Sequence, residues 1–138
     1  MNDKEKLKLL RSHRPDFLKI LNGEVVHFQS EPAGIEMKFV VSSKFCHSKG
    51  TIVQGGFVTV MLDTPMAHLV IGLLEKQFNP LTLDINVSFL MSLRPGEVRS
   101  KAKVIKLGKT TGFLASELFQ DTSLVATATS TVRLIPFK

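Results

Sequence analysis

From Phe57 to Leu74 the chain reads FVTVMLDTPMAHLVIGLL, apolar almost without interruption. Thr59, Asp63, Thr64 and His68 break the run, and Asp63 is the one formal charge between Lys49 and Glu75. A helix over this span has no polar face to turn toward water, so the rest of the chain has to enclose it. Its length also suits a membrane span. Against that, an Asp at mid-membrane costs about 2.5–3.5 kcal/mol, and Pro65 and His68 lie close by. A buried central helix is expected. Pro65 removes the hydrogen bond to the Met61 carbonyl and should bend the axis beside Asp63.

What wraps the helix can be read on either side of it. Lys4 to Leu10 resembles the start of a short amphipathic helix, and Pro15 bends or restarts the chain. Phe17, Leu18, Ile20 and Leu21 make an apolar patch before the Asn22-Gly23 turn. Val25–Gln29 and Ile35–Val41 read as strands joined by the SEPAG loop. After the helix, LTLDINVSFLM alternates with period two: Leu81, Leu83, Ile85, Val87, Phe89 and Met91 on one face, Thr82, Asp84, Asn86 and Ser88 on the other. Three further strands are expected at Val98–Ile105, Gly112–Gln120 and Leu124–Ile135, with turns at Gly108–Thr110 and Asp121–Ser123. Helix, two strands, buried helix and four strands indicate an α+β fold, an antiparallel sheet wrapped around one long helix.

At 138 residues the chain suits a single domain, 1–138, with residues 1–22 as an N-terminal helical segment. Hydrophobic residues at 43% and charged residues at 22% are values of a soluble globular protein. The single cysteine, Cys46, excludes an internal disulfide and fits a reducing compartment. It is expected to be a buried small hydrophobe. The charged N-terminus has no signal-peptide core, so a cytoplasmic location is expected. The net charge of +6 favours an anionic partner without naming it.

The chemistry concentrates around the helix start. The first N–H groups of a helix lack internal partners and carry partial positive charge. Glycine at Gly55 and Gly56 lets a substrate approach them, the arrangement that stabilises an oxyanion. Asp63 lies about two turns further on. A carboxylate in apolar surroundings is poorly solvated and gains basicity. A polarised carbonyl and a basic carboxylate are the minimum for acyl hydrolysis. The plainer alternative is a pair of packing glycines and an Asp paired elsewhere.

The segment GTIVQGGFVTVMLDTPM resembles the signature of the hotdog-fold acyl-CoA thioesterases, in particular the phenylacetyl-CoA thioesterase group. Gly50-Thr51, the Gly55-Gly56 pair and the spacing to Asp63 carry the likeness. TLDINVSFLMSLRPGE and the last two strands extend it over most of the chain from about Phe17. The resemblance implies a hotdog fold in a homodimer or a dimer of dimers, with sites between subunits and acyl-CoA as substrate. It implies that the Gly55 amide polarises the thioester carbonyl, with Gly56 supporting the turn. Asp63 would be general base or nucleophile. Thr82 would bring a hydroxyl from the second subunit, and Gln54 would help to position thioester and water. Gln54 stands where the family usually has His, and it cannot titrate. The family's Asn corresponds to His47 counted from Gly50 and to Ser48 counted from Gln54. No metal or redox cofactor is implied.

Arg94, Arg99, Lys101, Lys103, Lys106 and Lys109 cluster with only Glu97 among them. They form either a solvated strand face or a landing site, Lys109 included, for coenzyme A phosphates. Nucleic acid is not expected, because no aromatic is interleaved with these charges and Trp and Tyr are absent. The ten Phe residues are mostly expected in the core. The four histidines have no metal-ligand spacing, and His68 reads as a hydrogen-bonded core or interface residue. Side chains such as Met61, Met66 and Phe89 are expected to bear on pocket size. A non-catalytic acyl-CoA-binding module on the same fold is the second reading, motivated by Gln54 and Pro65.

Overall fold

A computed structural model of the chain describes residues 1–137. Helix α1 (Asp3–Ser12) and the short α2 (Asp16–Ile20) precede strands β1 (Glu24–Ser30) and β2 (Ala33–Val41). A two-residue ladder follows, β3 (Cys46–His47) with β4 (Ile52–Val53), and then the long α3 (Gly55–Leu73). Strands β5 (Phe78–Phe89), β6 (Gly96–Leu107), β7 (Thr111–Gln120) and β8 (Ser123–Pro136) complete the chain. One antiparallel sheet has the order β1-β2-β6-β7-β8-β5, and α3 lies across it. This is the expected α+β, helix-wrapping hotdog architecture.

Side chains of α3 turned to the sheet are fully buried: Met61, Leu62, Met66 and Leu69. Each contributes about 1.5–3 kcal/mol of burial. They meet the inward residues of the strands, Met37, Phe39, Val98, Leu114 and Leu118 among them. Two sheet hydroxyls fasten the helix: Ser116 donates to the Leu62 carbonyl at 2.9 Å, and Ser130 approaches the Met66 sulfur at 3.3 Å. Met61 and Met66 therefore belong to the sheet-side core and do not size a pocket. Pro65 sits inside a helix assigned without a break from Gly55 to Leu73.

The N-terminal segment is tied down. Asn2 and Glu5 form a reciprocal cap on α1, which holds two otherwise orphaned N–H groups. Arg11 and Arg14 reach back through Nε to the carbonyls of Val25 and Gly23 at 3.1 and 3.0 Å. Gly23 admits the close approach of Leu18 and Phe39, since a Cβ there would run into both side chains. The apolar patch of residues 17–21 consequently divides. Leu18 and Leu21 enter the core, while Phe17 and Ile20 stay 48% and 58% exposed.

Strand β5 departs from strict alternation. Its pairing with β8 slips between Thr82 and Asp84, a bulge at Leu83. A bulge adds one residue and turns the following side chains over. Pro80 and Thr82 pair with Leu134 and Val132 before it, and Ile85, Val87 and Phe89 pair with Ser130, Ala128 and Ala126 after it. Those partners are inward residues of β8. Thr82 thus shares the helix-facing side with Ile85, not the outer side with Asp84 and Asn86. Leu81 and Leu83, on the apolar face of the alternation, are exposed, as are Phe89 and Met91. Phe17 and Phe113 are also exposed rather than core, and Cys46 is only half-buried.

Candidate active site

Gln54 sets the start of α3. Its side-chain Oε1 accepts from the Gly56 N–H at 2.7 Å, capping the helix. Gly56 is required by that cap, because a Cβ on it would stand 2.7 Å from the same oxygen. The Gly55 N–H, first in the helix, has no intrahelical partner, and among the described residues nothing else accepts from it. Of the two glycines, one amide is used by the fold and one is left for a ligand. The Oε1 of Gln54 is committed to the helix rather than to a thioester.

Asp63 lies on the helix face turned away from the sheet core. Thr82 Oγ1 donates to its Oδ1 at 3.0 Å within the same chain. The β5 bulge makes this contact, so Thr82 reaches the Asp63 of its own chain. Burial pushes the Asp63 carboxyl above its ordinary value, and the Thr82 hydrogen bond partly offsets the rise. The group is a partly desolvated carboxylate held in one orientation, fit to take a proton from water.

Asp63 borders a cavity of about 390 Å³. Its floor is the outer face of α3: Phe57, Val60, Thr64, Ala67, His68 and Ile71. Its roof is the segment from His13 to Leu21, with Phe17 and Ile20 reaching in, and Asn79 and Pro80 close one side. The volume and apolar lining suit a small-molecule site. The sequence flagged the 17–21 patch but not its use, and His13, Thr64 and Asn79 were not singled out as site residues. The one available signal was an apolar cluster bracketed by Pro15 and Gly23.

Gly55 opens elsewhere. It lines a groove of about 480 Å³ with His47, Val58, Phe89, Leu90 and Met91. His47 Nδ1 and Ser48 Oγ lie 2.9 Å apart at the surface, so both candidates for the missing Asn are near this groove's rim. Gly55 and Asp63 are eight residues apart, about 12 Å along the axis. One thioester carbonyl cannot touch both within one chain. Lys109 projects from the exposed β6–β7 hairpin tip and lines neither opening. Arg99 is paired with Glu36 and Glu97 at 3.6 and 3.2 Å, and Lys101 lies over the Phe119 ring, so that strand face is an ordinary charged surface. Among the described residues no group of three or more His, Cys, Asp or Glu side chains is placed to hold a metal.

Comparison with known proteins gives the family and the fold. The model of the thioesterase superfamily matches residues 50–127. A phenylacetic acid degradation-related protein from Ralstonia eutropha JMP134 is 33% identical, with a TM-score of 0.84 over 93% of this chain and 98% of the other. A thioesterase from Haemophilus influenzae superposes at a TM-score of 0.83 and 21% identity, covering 94% of this chain and 90% of its own. A thioesterase family protein from Silicibacter pomeroyi does so at 0.82 and 20%, covering 99% and 100%; at these identities the likeness is one of fold. No curated protein matches. The chain belongs to the thioesterase superfamily.

Proposed function

We propose that the protein hydrolyses acyl-CoA thioesters to a carboxylate and free coenzyme A. The observation that carries this is the desolvated Asp63, fixed by Thr82 at the mouth of an apolar chamber. The acyl group enters the chamber. Asp63 takes a proton from water as the water attacks the thioester carbon, and the oxyanion that forms needs a donor. Gly55 N–H is the donor left free by the Gln54 cap, yet it lies too far from Asp63 of its own chain. The site is therefore completed by a second copy, with Asp63 and Thr82 from one chain and Gly55 from the other. The free edge β5 supports such a pairing, since this unpaired strand and the residues just after it expose Leu81, Leu83, Phe89, Leu90 and Met91.

The test is a thiol-release assay over short, long and aromatic acyl-CoAs with Asp63→Asn and Gly55→Pro. Proline deletes the Gly55 N–H and suits the first helical position, and Gln54 already has the extended backbone a following proline needs. Each variant alone is expected to be nearly inactive. Unfolded and refolded together, they form mixed dimers with one intact site, and about a quarter of wild-type activity should return. Full activity in Asp63→Asn would end the base assignment, and no recovery on mixing would end the shared site. No hydrolysis by wild type, with acyl-CoA still raising Tm, would instead favour a binding module.

A further inference from the structure

The groove beside Gly55 has a border of one charge sign. Between Glu36 and Asp63 the chain carries no acidic residue, and its lysines there are Lys38, Lys44 and Lys49. Lys38 is taken by Glu24 at 3.2 Å. Lys44 stands exposed on the short turn Ser43–Phe45 that leads into β3, and Lys49 stands exposed on the turn between β3 and β4. That ladder gives the groove His47, Ile52 and Val53. A Cβ on Gly50 would stand 3.3 Å from that of Ser43, so the two turns touch. Among the described residues neither lysine has a carboxylate partner. Lys44 Nζ lies 5.8 Å from the centroid of the Phe45 ring, a contact that leaves its charge unneutralised. Asp121, which meets the chain just past Leu93 of the groove, is held by Arg94 at 3.1 Å.

An acyl-CoA would bring an anion to this border. In the shared site the Gly55 N–H receives the carbonyl oxygen, and the acyl half lies in the other copy's chamber. The thioester carbon is trigonal, so its sulfur side points away from its acyl side. Gly55 lines the groove and not the chamber, which makes the groove, of about 480 Å³, the place for the carrier arm. Coenzyme A bears its phosphates beyond that arm, so cations that meet them have to stand off from the reacting carbon. Lys49 does: it is six positions from Gly55, at most about 20 Å of chain. Lys103, Lys106 and Lys109 also lack carboxylate partners among the described residues, but they line neither opening.

We propose, on the thioesterase reading and the shared site above, that Lys44 and Lys49 form a phosphate subsite: they bind the phosphates of coenzyme A while its pantetheine arm lies in the Gly55 groove. One copy of the chain then holds the acyl group and the other holds the carrier. The subsite selects coenzyme A over bare pantetheine. Both lysines are solvent-exposed, so their contacts are modest and weaken with salt.

The experiment measures KM for one acyl group carried on coenzyme A and on pantetheine. The acyl group is the one that the thiol-release survey ranks first, or octanoyl. The proteins are wild type, Lys44→Ala/Lys49→Ala and, as a control for net charge, Lys103→Ala/Lys106→Ala. Lys44→Gln/Lys49→Gln serves if the alanine pair does not fold. On wild type at low salt, KM should be about tenfold lower for the coenzyme A ester, the size expected of two exposed charge contacts. That ratio should fall toward one in the Lys44/Lys49 variant and at high salt, and stay at the wild-type value in the control. Equal KM values on wild type, a ratio that survives in the Lys44/Lys49 variant, or an equal loss in the control would overturn the subsite. So would an acyl carrier protein ester that outcompetes the coenzyme A ester and loses its advantage in the Lys44/Lys49 variant, because the lysines would then serve an acidic protein surface. Should wild type hydrolyse no ester, the thioesterase reading fails by itself, and binding decides. Coenzyme A raising Tm more than pantetheine in wild type but not in the Lys44/Lys49 variant supports the subsite, and equal shifts overturn it.

Discussion

The two long faces of α3 are made from similar residues and do opposite work. One face, with Met61, Leu62, Met66 and Leu69, is pressed dry against the sheet. The other, with Phe57, Val60, Ala67 and Ile71, is equally apolar but faces a chamber, and it carries Asp63, Thr64 and His68. The difference lies in what covers each face. The six-stranded sheet presents a continuous inward surface to the first, and close packing there leaves no room. A short helical segment roofs the second, anchored at Gly23 and Val25 and standing off from the helix between. The sheet side supplies stability, and the roofed side supplies a place where a carboxylate is half out of water.

This division predicts that the two faces fail differently. The largest effect is on chemistry. Asp63→Asn should lower kcat by about 10²- to 10⁴-fold, the usual worth of a general base, with little change in far-UV circular dichroism. Next is the sheet side: Leu69→Ala should cost about 2–5 kcal/mol in urea unfolding, because the cavity it leaves cannot collapse. If Leu69→Ala instead mainly altered acyl preference, the faces would not be separate.

Third is acid. The folded-state pKa of His68 is about 4 against an ordinary 6.5, so the unfolded chain takes up the proton first as pH falls. Stability should be fully present above about pH 6.5 and decline toward pH 4, by on the order of 3 kcal/mol from this residue. Urea unfolding at pH 7 and pH 4.5 should show the decline, flattened in His68→Phe. His13, also lowered by burial, acts in the same direction.

Asp63 has the reverse sign. Its carboxyl is raised, so ionising it in the folded state costs stability at neutral pH. Asp63→Asn should therefore melt slightly above wild type at pH 7, and the gap should close as pH falls toward the ordinary Asp value of 3.8. A lower Tm for the variant at pH 7 would mean that the carboxylate stabilises the fold. Smallest is the roof: Phe17→Ala should cost under about 1 kcal/mol yet shift activity toward bulkier acyl groups, measured as kcat/KM across chain lengths.

Much of this was legible in the chain. An eighteen-residue apolar run with one carboxylate has to be a buried helix, and period-two patterns on either side have to be the sheet that buries it. The same reasoning marked Gly55, Gly56 and Asp63, because free helix amides and an ill-solvated carboxylate are local properties. It did not separate the two glycines, since the choice rests on where the Gln54 side chain turns.

Tertiary structure decided the rest. Alternation placed Thr82 on one face with Asp84; a bulge at Leu83, visible only in the pairing of β5 with β8, separated the two and set Thr82 against Asp63. Met61 and Met66 looked like pocket residues on a helix apolar all round, and only the position of the sheet showed them to be core. Phe17 and His13 became chamber walls because Arg11, Arg14 and Gly23 pin the N-terminal segment over α3. Sequence specifies which residues must leave water. Which of them meet each other, and which are left facing an empty space, depends on register and on contacts between residues far apart in the chain, and no local pattern encodes those.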